Sequence, residues 1–275
     1  LITSGLASKK SSREMADLAY QFITQEVSDG ICILTLNCPE QTNKLTIPIM
    51  QELTAGLLST EADPDCRVVI LTGAGECFCD GGNLGDYRAQ SPFEIRQFGD
   101  AFITLHMTIV KLTKPVIAAV QGHAHGGGLN LVEACDLAIA ALDAEFSVPE
   151  MRFGIAPMMA LTGLGRVLSR KGVMQLALFA EMISAERAME FGFLNWVCAK
   201  EEVLKEAKAI AGRLVNMSPV AMASCKRLYY EADALNYQKQ LESGLNMLVT
   251  LLKSDDAAEA MTARQENRKP VWSGK

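Results

Sequence analysis

An α/β fold with a helical tail is what the sequence predicts, on three observations. Short apolar runs with the character of buried strands alternate with stretches of helical period over the first half of the chain. Glycine-rich segments follow two of those runs, at Thr72–Gly75 and Gly122–Gly128. From Leu161 onward the patterns are helical throughout.

The elements follow in order. Tyr20–Val27 and Ile31–Leu36 read as strands joined by a turn at Ser28-Asp29-Gly30, the second apolar on both faces and therefore covered on both. Ile47–Leu58 carries apolar residues in a rough 3.6 period, with Pro48 in a first turn that has no internal use for its missing N–H. Arg67–Leu71 and Pro115–Val120 read as buried strands, Asp136–Ala140 and Glu145–Pro149 as shorter ones. Glu76–Asp86 is irregular, Pro92–Leu112 a long helix, and Gly126-Gly127-Gly128 opens a helix through Glu133. Helices are expected at Leu161–Leu168, Val173–Ala180, Ala185–Phe191, Glu201–Leu214 and, as one long element, Pro219–Leu251.

Composition limits the function. The 275 residues are 49% hydrophobic and 21% charged, enough apolar surface for a large core. The net charge of −6 disfavours a whole-surface polyanion binder, so no nucleic acid partner is expected. Apolar runs such as Val68–Leu71 are far shorter than the ~20 residues that cross a bilayer, so no membrane partner is expected either. Eight cysteines, none in a CxxC pair, read as reduced thiols of a cytoplasmic protein. Leu1–Glu14 lacks the apolar stretch of a secretory signal, and Met15 reads as a native start; 1–14 is then a disordered or expression-derived extension, with an organelle-targeting peptide as the alternative. The organisation expected is 15–200 as core and 201–275 as a helical region.

The chemistry concentrates in the two glycine segments, Phe78–Leu84 and Gly122–Asn130. Glycine allows the backbone to approach a ligand closely, and the second segment sits at a helix start, where free N–H groups favour negative charge. Two backbone N–H groups aimed at one oxygen make an oxyanion hole; two tight turns without a ligand are the plain alternative. His123 and His125 flank Ala124 and share a face, but with no third ligand evident nearby in the sequence, no metal is expected.

These segments carry a resemblance. KPVIAAVQGHAHGGGLNLVEACDLAIA followed by FSVPEMRFGIAP resembles the enoyl-CoA hydratase/isomerase (crotonase) superfamily. FCDGGNL, PEQTNKL, AERAMEFGFLNWV and the terminal RKPVWSGK are similar to further ordered motifs of that family, so the resemblance runs from about Tyr20 to Lys275. It implies a spiral of ββα repeats with a C-terminal helical trimerisation region, a homotrimer or hexamer, an acyl-CoA thioester as substrate, and no cofactor beyond the coenzyme A of that substrate. It places the oxyanion-hole amides at Gly82 and Gly127. Asn130, Asp80, Leu84, His125 and Lys44 are candidate substrate-binding positions beside them; Asp80 and Lys44 stand where the family usually has alanine, and a solvent-facing turn residue, a solvated lysine and a hydrogen-bonded loop histidine are the plain alternatives.

The acid–base positions depart from the hydratase pattern. The resemblance implies two glutamates in a hydratase; this sequence keeps Glu150 but has Asn130 at the other position. An amide holds a water or a carbonyl by hydrogen bonding but takes no proton. A single carboxylate beside an enolate serves as a shuttle that removes a proton at one carbon and returns it at another. The expectation is therefore double-bond migration, with Glu150 as the catalytic residue, ahead of water addition, decarboxylation or thioester hydrolysis. Glu133, one turn past Asn130, reads as a structural, paired group, with a displaced carboxylate reaching the pocket as the alternative. Met158 and Met159 stand where relatives carry small residues, and either fill the core or line an acyl pocket.

Overall fold

Early apolar runs pair into a six-stranded sheet in the computed structural model, which describes residues 20–275. The expectations for residues 1–14 and for Met15 lie outside them. Strands β1 (Ile23–Ser28) and β2 (Ile31–Leu36) form an antiparallel hairpin across Asp29-Gly30. Both turn residues take positive φ, at 52° and 80°, as a two-residue turn matched to the strand twist requires. β3 (Val68–Gly73), β4 (Val116–Val120), then, beyond a second small sheet, β6 (Leu137–Ala141) and β9 (Trp196–Cys198) add in parallel, in the order β1-β2-β3-β4-β6-β9. The second sheet joins β5 (Ala124–His125), β7 (Glu145–Ser147) and β8 (Ile183–Ser184). The near-continuous apolar character of β3 and β4 follows from their burial on both faces.

Helices cover the main sheet. α1 (Ile47–Ala62) packs on β1 and β2 and against α2 (Pro92–Lys111), which a Ser91/Glu94 capping box opens. α3 (Gly127–Ala134) follows the second glycine segment. α4 (Met158–Val167), α5 (Arg170–Phe179) and α6 (Ala185–Glu190) come next in the chain. α7 (Val203–Val215) crosses β2, β3, β4 and β6, burying Val203, Ala207 and Ala211 at four-residue spacing; the two alanines let the helix approach the sheet closely. α8 (Pro219–Ala232), α9 (Tyr237–Leu251) and α10 (Asp255–Gln265) end the chain. Among the described residues, no helix is long and apolar enough to cross a membrane.

The structure corrects the reading at several points. Pro219–Leu251 is two helices, because the Asn236 side chain accepts from the Lys239 amide and starts a new helix, while the Gln240 amide donates to the carbonyls of Ala232 and Leu235. β7 stops at Ser147, and Pro149–Phe153 forms a 3-10 turn. The short strands β8 and β9 and the helix α10 went unforeseen. α10 is anchored by buried Asp256, whose carboxylate accepts from Ser218 Oγ at 2.6 Å and from the Ser273 and Gly274 amides at 2.8 and 3.0 Å.

Candidate active site

The parallel run places the site. The segments that leave β2, β3 and β4 all emerge at the carboxyl edge of the sheet, where α/β folds gather ligands. The first two are zipped together by main-chain bonds: the Asp80 amide to the Thr42 carbonyl (3.0 Å), Leu45 to Gly81 (2.8 Å) and Asn83 to Leu45 (2.8 Å). The third is tied to the second by bonds from the Phe78 and Cys79 amides to the His123 carbonyl (3.2 and 3.3 Å) and from the His125 amide to Cys79 (3.1 Å).

That lattice brings Gly82 and Gly127 together. A methyl carbon built on Gly127 would sit 3.3 Å from the Gly82 nitrogen, and one built on Gly81 would sit 3.5 Å from the Gly127 nitrogen. The Gly82 N–H donates to none of the described residues. The Gly127 N–H opens α3, before intrahelical bonding begins. Gly128 allows this approach, since a Cβ there would lie 2.0 Å from the Cys79 carbonyl oxygen. Leu84 and Phe98 border the Gly82 position.

Glu150 closes the other side. The Gly126 amide donates to Ser147 at 2.9 Å, which sets the turn after β7 beside the start of α3. Glu150 Oε1 then lies 3.3 Å from where a Cβ on Gly126 would be, while Oε2 is sealed from solvent and has no hydrogen-bond partner among the described residues. Burial pushes the Glu150 carboxyl above the ordinary carboxylate range, with its own backbone amide opposing. Of the apolar residues flanking Glu150 in sequence, Phe146 and Val148 are buried, whereas Met151 and Phe153 are exposed. Met158 and Met159 are 65% and 43% exposed, so they do not fill the core.

The sequence profile of the enoyl-CoA hydratase/isomerase family matches residues 26–275. The chain belongs to that family. Crotonyl-CoA hydratase of Syntrophomonas wolfei is 32% identical to it over 260 residues, 94% of this chain and all of that protein. Carnitinyl-CoA dehydratase of Escherichia coli (strain K12) is 33% identical over 251 residues, 90% of this chain and 96% of that one. The solved enoyl-CoA hydratase of Bacillus anthracis superposes with a TM-score of 0.88 at 28% identity, covering 93% of this chain and all of that one. The fold is thus the crotonase type, and the chain is an enzyme of an acyl-CoA family.

Within this family member the remaining positions sort as follows. Asn130 is buried in the first turns of α3, three residues beyond Gly127. Glu133, read from the sequence as a paired structural acid, is a desolvated carboxyl: burial raises it to about 7, against the opposing influence of the Asn130 amide and the Arg166 guanidinium. Its carboxylate occupies space left by Gly163, where a Cβ would come within 1.9 Å of Oε2. The Arg166 ion pair is made with Asp233, at 3.0 Å. Glu133 also lines a cavity of about 520 Å³ with Asp136, Lys226 and Tyr230, which none of Gly82, Gly127 and Glu150 lines. Lys44 and Asp80 form an ion pair at 3.1 Å, with the Thr42 hydroxyl donating to the same carboxylate. His125 Nδ1 meets Ser147 Oγ at 2.5 Å, and burial, aided by neighbouring His123, lowers its pKa. The sequence left the two histidines without a third ligand; the fold brings Asp80 to them. His106 stacks on Phe102 and meets the Phe102 carbonyl.

Two supporting residues went unrecognised. Asn43 is buried at positive φ; its side-chain oxygen accepts from the Cys38 amide, and its NH₂ donates to the carbonyls of Ala74 and Cys77. Gln121 donates to the carbonyls of Gly73 and Cys77 from the other side. Together they hold the loop that presents Gly82. The signal in the sequence was the side chain itself: an amide with both donors and an acceptor, beside a glycine segment whose carbonyls lack ladder partners.

Proposed function

We propose that the enzyme shifts a carbon–carbon double bond, converting a 3-enoyl-CoA to the 2-enoyl-CoA, with Glu150 as the only proton carrier. The Gly82 and Gly127 amides would hold the thioester oxygen and stabilise the enolate formed when Glu150 removes the α-proton. Glu150 would then return the proton to the γ-carbon, and the conjugated thioester leaves. Asn130 and Leu84 would contact the substrate, Asn130 as a hydrogen-bonding group without base function. We further propose that the enzyme works as a homotrimer or a hexamer.

One observation carries the reading. The Gly82 and Gly127 backbones lie close together beside one desolvated carboxyl, Glu150, and the position of the second carboxylate is an amide. An unpartnered, partly desolvated carboxyl has the raised proton affinity that a shuttle needs.

Water addition is the second reading, favoured by the relatives, whose names are hydratase and dehydratase. In it Glu150 activates a water that Asn130 holds. The test follows absorbance of the conjugated thioester from a 3-enoyl-CoA, alongside hydration of a 2-enoyl-CoA. The expected result is isomerisation that falls ~10²–10⁴-fold in Glu150→Gln, with label from the α-carbon recovered in part on the γ-carbon. Glu150-dependent hydration without isomerisation would establish the second reading instead.

A further inference from the structure

Asp80, His123 and His125 meet beside the candidate oxyanion hole, and the proposed proton transfer uses none of them. Their donor atoms all lie within 4.8 Å of one another, and all three side chains are half-buried. We infer that these three residues form a binding site for one divalent transition-metal cation of the zinc type, held by two imidazole nitrogens and one carboxylate oxygen.

The donor set is the first argument. Two imidazoles and a carboxylate, with positions left for water, are a recurrent ligand combination for zinc and for iron(II). Tetrahedral zinc with bonds of about 2.0–2.2 Å holds its ligand atoms about 3.4 Å apart, so side-chain rotation need draw the farthest pair together by only about 1.4 Å.

The backbone is the second argument. The same three main-chain bonds that tie Phe78–Cys79 to His123–His125 fix where Asp80 stands relative to both histidines. The rings of His123 and His125 lie edge to face at 4.8 Å between centroids. A metal-binding histidine is normally oriented by a bond to its other nitrogen, and Ser147 Oγ supplies one to His125 Nδ1, leaving Nε2 as the donor toward a metal.

Lys44 is the third. Its ammonium sits on Asp80 at 3.1 Å, on a side chain 41% exposed that is free to swing into solvent. It is a resident cation that a metal must displace, so its removal should tighten binding. Either cation neutralises a carboxylate that stands two residues before Gly82, where negative charge would build on the thioester oxygen.

The experiment uses the full chain carrying Cys225→Ser, since Cys225 is an exposed thiol that would bind metal on its own. After chelator treatment the protein is titrated with zinc by calorimetry and with cobalt(II) by visible absorption. One equivalent per chain is expected, with cobalt bands of a four- or five-coordinate site. His125→Ala, His123→Ala and Asp80→Ala should each weaken zinc by more than about 100-fold, and Ser147→Ala by about 10- to 100-fold. Lys44→Met should tighten it. Thermal melts of each variant verify that it is folded. No saturable binding in the parent protein or in Lys44→Met, or binding unchanged by loss of both histidines, would overturn the site. None of these readouts depends on turnover, so their failure leaves the proposed reaction untouched, and failure of that reaction leaves the metal site untouched.

Discussion

Glu150 and Glu133 are both desolvated carboxyls, and pH separates their consequences. Glu150 acts as a base only when ionised, and burial raises its pKa. Turnover should therefore fall on the acid side at a pH above the ordinary carboxylate value, as protons occupy the group; a pH profile of kcat/KM checks this, and an acid limb at or below the ordinary value would count against desolvation. Glu133 speaks to stability. Its folded-state value of about 7 lies above the 4.5 of an unperturbed carboxyl, so between those values the folded chain binds more protons than the unfolded chain. Stability is then greatest below pH 4.5 as far as this group is concerned, and falls as pH rises to 7, by roughly 3 kcal/mol in total at 1.36 kcal/mol per pKa unit. Glu133→Gln keeps the shape and removes the ionisation. Urea unfolding at pH 5 and pH 8 should show a decline in the wild type that the variant lacks, with the variant the more stable at pH 8; equal slopes would mean that Glu133 is hydrated.

At the scale of elements, the site depends on how closely α3 starts against the end of the Phe78–Cys79 segment. Gly128→Ala puts a carbon 2.0 Å from the Cys79 carbonyl, which a backbone shift must relieve. Overpacking of this kind costs about 1–3 kcal/mol, so the melting temperature should drop, and turnover should fall further because the same shift parts the Gly82 and Gly127 amides. A variant with wild-type melting and turnover would show that α3 starts further from the loop. Elements of this sort were readable where one physical cause acts alone. β2, β3 and β4 are buried on both faces and show as near-continuous apolar runs; the Asp29-Gly30 turn shows because few residues take positive φ. The break between α8 and α9 was hidden, because Asp233–Asn236 carries no proline or glycine, and only the Asn236 cap ends the helical pattern. Strands β8 and β9 are two and three residues long, held by partners distant in sequence, so they have no local period to read. In the site, Glu150 and the two glycine segments were legible from residue type and order. The grouping of Asp80 with His123 and His125 was not, because pairing between two loops more than forty residues apart creates it.

Over the whole molecule, a buried ion pair helps tie the C-terminal helices to the core, and one of those helices leaves an apolar face bare. Lys226 is buried on α8 and reaches Asp136 at 2.6 Å; the same carboxylate accepts from the Val116 amide. Removing one partner of such a pair leaves a charge without compensation, at a cost of about 3–5 kcal/mol, so Lys226→Ala should lower stability far more than loss of an exposed pair such as Arg96–Asp100. α9 is the contrary case. It buries no residue, and Leu241, Leu245 and Leu248 follow one another at helical spacing while 57%, 60% and 50% exposed. Leu252, at 62%, extends the row. A contiguous exposed apolar strip marks a surface for association, and most soluble oligomers are symmetric assemblies of identical chains. The expected outcome is a native mass of three or six chains by analytical ultracentrifugation. Leu241→Glu combined with Leu245→Glu should reduce that mass to a single chain while the far-ultraviolet dichroism is kept, because side chains that touch little within one chain tolerate charge. A wild-type mass of one chain would refute the assembly, and an assembly unmoved by both charges would place the contact on another face.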